Sequence, residues 1–283
     1  MNKPKNKKQD AKSIFRKCGT CSQTFAHLLN HDFNHPNEIE ERALDPLAGG
    51  IMNMGYQCGM IWGATLAVGS ESFNRYKKTN EAKAVSILAT QKLIESFSKR
   101  TKTVNCKEIT GYDFSNVFGL MKFTLATMIK GINNSPCFNL AEQWAPEAIQ
   151  SAREGLSQKQ INFNQNLKSC SSELVKKMGA SEEETIMVAG FAGGLGLSGN
   201  ACGALSATIW KKSLDWCREN PGKTLPVLKN PFKKELLKVF FKETNSEIQC
   251  NKISGCEFKT VDEHSEYIQN GGCEKLIIAL SQT

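Results

Sequence analysis

The 283-residue sequence predicts an all-α protein made of two tandem, homologous helical domains in a pseudo-twofold relation. Three observations carry this. Segments 86–100, 115–130, 140–156 and 233–244 repeat apolar residues at helical spacing. Runs that alternate apolar and polar residues, as half-buried strands do, are scarce. The chain also repeats itself in an unbroken register at an offset of 144 residues.

Taken in order, residues 1–17 hold seven Lys or Arg against Asp10 and read as a basic disordered tail. That stretch supplies +6 of the +8 net charge, so the remainder is nearly balanced and no specific nucleic-acid partner is expected. No apolar segment follows it, which argues against a secretory signal. Residues 18–150 and 151–283 read as the two domains, with a polar linker over roughly 138–168 that includes SQKQINFNQN. A hydrophobic content of 40% and a charged content of 23% suit a soluble globular chain.

Two uncharged windows, within 46–70 and 185–210, are as long as a membrane span. Clustered Gly, with Asn or Gln among them, makes each read instead as a helix, a tight glycine turn and a second small-residue helix buried in protein, so no membrane span is expected. These windows anchor the repeat. AGGIMNMGYQCG (48–59) lies over AGGLGLSGNACG (192–203) with six of twelve positions identical, Cys58/Cys202 among them. The register continues to Cys106/Cys250, Ile109/Ile253, Gly111/Gly255 and Phe114/Phe258. Outside this frame, CSQTFAHLL pairs with CSSELVKKM at offset 149, and Cys137 pairs with Cys273 at offset 136.

One cysteine quartet per half results: Cys21, Cys58, Cys106 and Cys137, then Cys170, Cys202, Cys250 and Cys273. The order of a cysteine, a glycine-rich CGAxxG, a C-x-x-I-x-G and a late cysteine resembles the redox-active family named for its C, GCAxxG, C and C signature. The resemblance covers nearly the whole chain twice. It implies a small helical domain with four characteristic cysteines and a redox role, and it is similar to the non-haem iron–sulfur part of split-Soret cytochromes. Met60 replaces the expected Ala in the first copy and Ala207 the last Gly in the second, departures that touch helix packing more than the thiol.

Spacings of 37, 48 and 31 residues, then 32, 48 and 23, require a folded scaffold to bring the thiols together, unlike the local cysteine pairs of structural zinc sites. Thiolates are soft ligands, and four of them are the normal complement of an iron–sulfur cluster, here of the 2Fe-2S or 4Fe-4S type. Glycines let backbone approach a ligand closely, adopt positive φ and aim N–H groups at sulfur. The small-residue runs after Cys58 and Cys202 place both near helix N-termini, where the macrodipole favours thiolate. A metal-free dithiol, with Cys58 and Cys202 as low-pKa nucleophiles, and a structural zinc protein are the alternatives. Cys18, Cys217 and Cys256, which the repeat leaves unpaired, read as small buried hydrophobes.

Other motifs carry less. Cys18-Gly-Thr-Cys21 has Leu167 in the place equivalent to Cys18, and Ser22 excludes c-type haem attachment. Gly194-Leu-Gly196-Leu-Ser-Gly199 spells a dinucleotide fingerprint without a clear strand before it. His27, His31 and His35 share a helical face and read as packed or solvated residues. No Ser/His/Asp constellation stands out, no catalytic residue is nominated, and whether the chain is an enzyme stays open. The expectation is a cytoplasmic redox protein with an iron–sulfur cluster in each half and an electron-transfer protein as partner. A homo-oligomer is compatible with the sequence.

Overall fold

The computed structural model describes residues 10–158, 166–226 and 230–283. The first half comprises α1 (Ala11–Cys18), α2 (Cys21–Asp32), α3 (Glu38–Arg42), α4 (Gly59–Arg75), α5 (Thr79–Thr101), α6 (Cys106–Thr110), α7 (Val117–Lys130) and α8 (Pro136–Leu156). The second comprises α9 (Cys170–Lys177), α10 (Glu182–Met187), α11 (Gly203–Glu219), α12 (Lys233–Glu243), α13 (Cys250–Ser254), α14 (Val261–Gln269) and α15 (Glu274–Ser281). Seven helices, α2 to α8, recur in order as α9 to α15. No named strand occurs among the described residues, and the extended structure is two isolated bridges, Gln57 with Asn105 and Ala201 with Gln249. The chain is all-α and duplicated.

Residues 10–17 correct the expected tail. Asp10 caps α1 by accepting from the Lys12 N–H, and Ala11, Ile14 and Phe15 are buried on one face. Phe15 stacks on Phe138 of α8 with ring centroids 4.4 Å apart. The lysines masked this apolar spacing. Residues 1–9 of that tail lie outside the described residues. The expected linker is also shorter, because α8 continues to Leu156 and buries Leu140, Ala141, Trp144, Ala148 and Ala152. Residues 159–165 of it lie outside the description.

The halves share one continuous apolar core. In the first half α4 and α5 lie against α10, and reciprocally α11 of the second half lies against α3, as a pseudo-twofold requires. Contact is too close for an added side chain: a Cβ on Gly69 would sit 2.2 Å from the Met187 carbonyl oxygen, and one on Gly190 2.3 Å from Thr90 Oγ1. Trp62 meets Phe191 edge to face at 4.8 Å, while Trp210 Nε1 donates to the Glu40 carbonyl at 3.2 Å. No described helix is long and apolar enough to cross a membrane.

Candidate functional site

Every cysteine of both quartets lies at the N-terminus of a helix, as its N-cap or in its first turn. Cys21 and Cys170 open α2 and α9 behind the capping hydroxyls of Thr20 and Ser169. Cys58 and Cys202 are the N-cap residues of α4 and α11, as the small-residue runs predict. Cys106 and Cys250 open α6 and α13, Cys137 is the second residue of α8, and Cys273 caps α15. Unpaired N–H groups and positive dipole ends therefore gather around the sulfurs.

Two devices fix this arrangement, and both are duplicated. At each isolated bridge the Cys58 N–H donates to Val104 at 2.8 Å and the Cys106 N–H to Tyr56 at 2.6 Å. Cys202 to Ile248 and Cys250 to Asn200 repeat these bonds at 2.8 and 2.6 Å. Each bridge thus ties the second cysteine of a quartet to the third. The other device is a left-handed turn. Residues 49–53 and 193–197 all have positive φ, including Ile51, Met52, Leu195 and Leu197.

Left-handed backbone costs a non-glycine residue roughly 1–2 kcal/mol, so the run persists because the surrounding packing imposes it. Ile51, Met52, Leu195 and Leu197 are buried anchors. Gly50 and Gly194 cannot be replaced without clash, since a Cβ on either would come within 2.5 Å of the backbone of Tyr56 or Asn200. The turn aims the Gly49 N–H at the sulfur of Cys21 and the Gly193 N–H at that of Cys170. The Gly194-to-Gly199 sequence is therefore a thiol cradle. It follows a short 3-10 turn, Ala189–Phe191, where a dinucleotide loop would follow a strand.

Each quartet lines one cavity. Cys21, Cys58, Cys106 and Cys137 border a space of about 290 Å³ with Met60, Phe114, Leu120 and Phe123. Cys170, Cys202, Cys250 and Cys273 border a space of about 10 Å³ with Ala204, Phe258, His264 and Tyr267. The linings correspond in register, Leu120 with His264 and Phe123 with Tyr267, and only the second is filled. The Tyr267 hydroxyl lies 3.7 Å from Cys273 Sγ. Sequence reasoning missed these lining residues, although the 144-residue register pairs them.

Cys21 is held below the usual thiol range, chiefly by hydrogen bonding with Cys58 and also by the N–H groups of Gly49 and Ser22. Cys58 is correspondingly driven up, by the same bond and by burial. Burial raises Cys106, Cys170, Cys250 and Cys273, and pushes Cys137 and Cys202 up to about 12. The expectation that Cys58 and Cys202 are the low-pKa thiols is corrected. Proximity of Cys58 stabilises the thiolate of Cys21, and burial outweighs the helix N–H groups at Cys202.

Cys18, Cys217 and Cys256 line neither cavity. Cys217 is buried, whereas Cys18 and Cys256 are partly exposed. The histidines separate: His27 Nδ1 meets Glu41 at 2.9 Å, His35 Nδ1 meets Glu71 at 2.7 Å, and His31 packs on His27. Among the described residues no group of three or more His, Cys, Asp or Glu is gathered as around a bound metal ion. The quartets nonetheless suit one in donor chemistry, with four soft sulfurs facing a common space and N–H groups turned toward them.

The profile of the family described as "Putative redox-active protein (C_GCAxxG_C_C)" matches residues 19–146 and again residues 168–282. The chain belongs to this family as two tandem copies. No curated protein and no solved structure matches it.

Proposed function

We propose that the chain is a cytoplasmic redox protein in which the quartets hold iron–sulfur clusters that exchange electrons with a protein partner. One observation carries this reading: four helix N-termini, each with a cysteine as its N-cap or in its first turn, border a single cavity in each half. Such a set supplies soft ligands together with N–H donors to an anionic centre. When bound, a cluster supplies reversible one-electron transfer.

The chain's own part begins with the protons. Most of these thiols are kept protonated by burial, so metal uptake must release protons. Gly49 and Gly193 hold N–H groups against the developing charge on Cys21 and Cys170. The walls of the first cavity are mainly apolar, Phe114, Leu120 and Phe123 among them. Room for a cluster already exists around the first quartet, whereas the second requires Tyr267, Phe258 or His264 to move outward.

The Cys21–Cys58 interaction favours a second reading, dithiol chemistry in the first half. The Cys21 thiolate would attack a disulfide of a partner protein, and Cys58 would then displace that partner. An S–S bond forms between Cys21 and Cys58, the partner's S–S bond breaks, and two electrons pass to its sulfurs with the one proton of Cys58, so that one partner sulfur leaves as thiol and the other as thiolate.

Anaerobic purification with visible spectroscopy and iron and sulfide analysis tests the first reading. Brown, bleachable absorbance that falls by about half in Cys21→Ser, is lost when Cys170→Ser is added and is kept in Cys217→Ser supports it. Colourless, iron-free protein with a reversible Cys21–Cys58 disulfide supports the second. Metal content that is indifferent to Cys21 and Cys170 but dependent on Cys217 overturns the quartet assignment.

A further inference from the structure

The two copies of one helix differ in a way the cysteine sites do not explain. Helices α7 and α14 begin at equivalent positions, Val117 and Val261, and both turn an inner face to their cavity through Leu120 and Phe123 or His264 and Tyr267. Their outer faces are opposite in character. Where α14 carries Asp262 and Glu266, both exposed, α7 carries Phe118 and Lys122. Val117, Phe118, Met128 and Ile129 are 70%, 78%, 76% and 84% exposed, and Met121 and Leu125 are more than half exposed. A contiguous apolar face of this size on a surface helix marks a partner.

The charges beside it indicate which kind. Helix α7 contains no acidic residue, and Lys122 is exposed within the apolar face. At the far end of the helix, Arg16 of α1 bonds to Asn133 through Nε at 3.0 Å, which sets a second cation at the rim next to exposed Lys17. Four more lysines precede α1 in the sequence. The acidic residues nearby are engaged, Asp113 by Lys107 at 2.7 Å and Glu142 by Lys12 at 2.8 Å.

A second copy of the chain fits poorly on this face. Two α7 helices meeting antiparallel about a twofold would bring Lys122, near the midpoint of the helix, close to its own counterpart. An anionic lipid surface fits. Apolar side chains sink to the depth of the headgroup boundary, and Lys122 extends its stem toward lipid phosphates.

We propose that α7 docks the first half, lying flat, on an anionic lipid surface. The test is co-sedimentation of the full chain with vesicles of phosphatidylcholine alone, or of equal parts phosphatidylcholine and phosphatidylglycerol. The chain is expected to pellet with the mixed vesicles and to bind pure phosphatidylcholine at least about tenfold more weakly. Phe118→Asp with Lys122→Glu, the residues that α14 carries in the same register, is expected to lower binding to mixed vesicles at least about tenfold with circular dichroism unchanged. Ile129→Gln, at a side chain with almost no packing to lose, gives a second reading in the same direction. Failure to pellet with either vesicle overturns the proposal, as does pelleting that these variants leave unchanged. A dimer of the wild type that Phe118→Asp with Lys122→Glu dissociates, without vesicle binding, assigns the face to a second copy and overturns it as well.

Discussion

The Tyr267 hydroxyl stands 3.7 Å from the sulfur of Cys273, at a position where the other copy has Phe123 and no hydroxyl. That oxygen is one of the differences between the two sites, beside the exchange of Leu120 for His264 and of Met60 for Ala204. Burial raises Cys273, and the Tyr267 bond works against the rise by stabilising the thiolate. Tyr267→Phe is therefore expected to slow alkylation of Cys273 by about threefold to tenfold near neutral pH. It should cost about 1 kcal/mol of stability, the ordinary worth of one hydrogen bond. Site-resolved mass spectrometry of iodoacetamide labelling measures the first effect, and urea denaturation the second.

Cys21 is expected to be the most reactive thiol of the metal-free protein. Its thiolate depends chiefly on Cys58, so Cys58→Ala should raise the pH at which Cys21 alkylates and slow that reaction at neutral pH. Replacement of Cys202 should leave Cys21 unchanged. A pH profile of Cys21 labelling in the three proteins checks this, and equal rates at every pH would count against the pairing.

Gly50→Ala is expected to destabilise the protein by about 2–4 kcal/mol, because it combines a left-handed φ with a Cβ 2.5 Å from the Tyr56 backbone. Gly111→Ala is the control. It shares a positive φ of 73° but has open space around the added carbon, so about 1 kcal/mol is the expected loss. Urea midpoints of the two variants compare the terms directly.

Asp45 gives a pH signature. Burial pushes its carboxyl up from 3.8 to about 6, against the bond from Thr20 Oγ1 at 2.7 Å. The folded state then holds the proton more tightly than the unfolded one. Stability accordingly falls as pH rises from about 4 to 6, and the full cost, about 3 kcal/mol at 1.36 kcal/mol per unit, applies above that window. Asp45→Asn should match the wild type near pH 3.5 and exceed it by roughly that amount at pH 7.5. Thermal or urea unfolding at the two pH values measures it, and a difference that does not change with pH would show that the carboxyl is not buried in charged form.

The sequence disclosed the helices, the duplication and the placement of Cys58 and Cys202 at helix starts because each rests on local demands: apolar spacing, a shared register, small residues running into a helix. Other features are set by neighbours remote along the chain. Nothing local forces Ile51 or Leu195 to positive φ; each is held there by burial in the common core. Which sulfur carries the charge depends on Cys58 lying beside Cys21, 37 residues away in sequence, and spacing alone does not disclose that. The unequal cavities come from Tyr267, His264 and Phe258, ordinary residues until the fold turns them inward. In α1, three cations, Lys12, Arg16 and Lys17, concealed a buried face formed by Ala11, Ile14 and Phe15.

At Gly69 the main chain of α4 rests on that of Met187, with no side chain between. A protein assembled from two separate single-copy chains would come apart on dilution, and its two thiol chambers would part with it. Joined covalently, the copies meet at an effective concentration that dilution cannot lower. The separation between the chambers is then a fixed property of one molecule, the same at nanomolar as at millimolar.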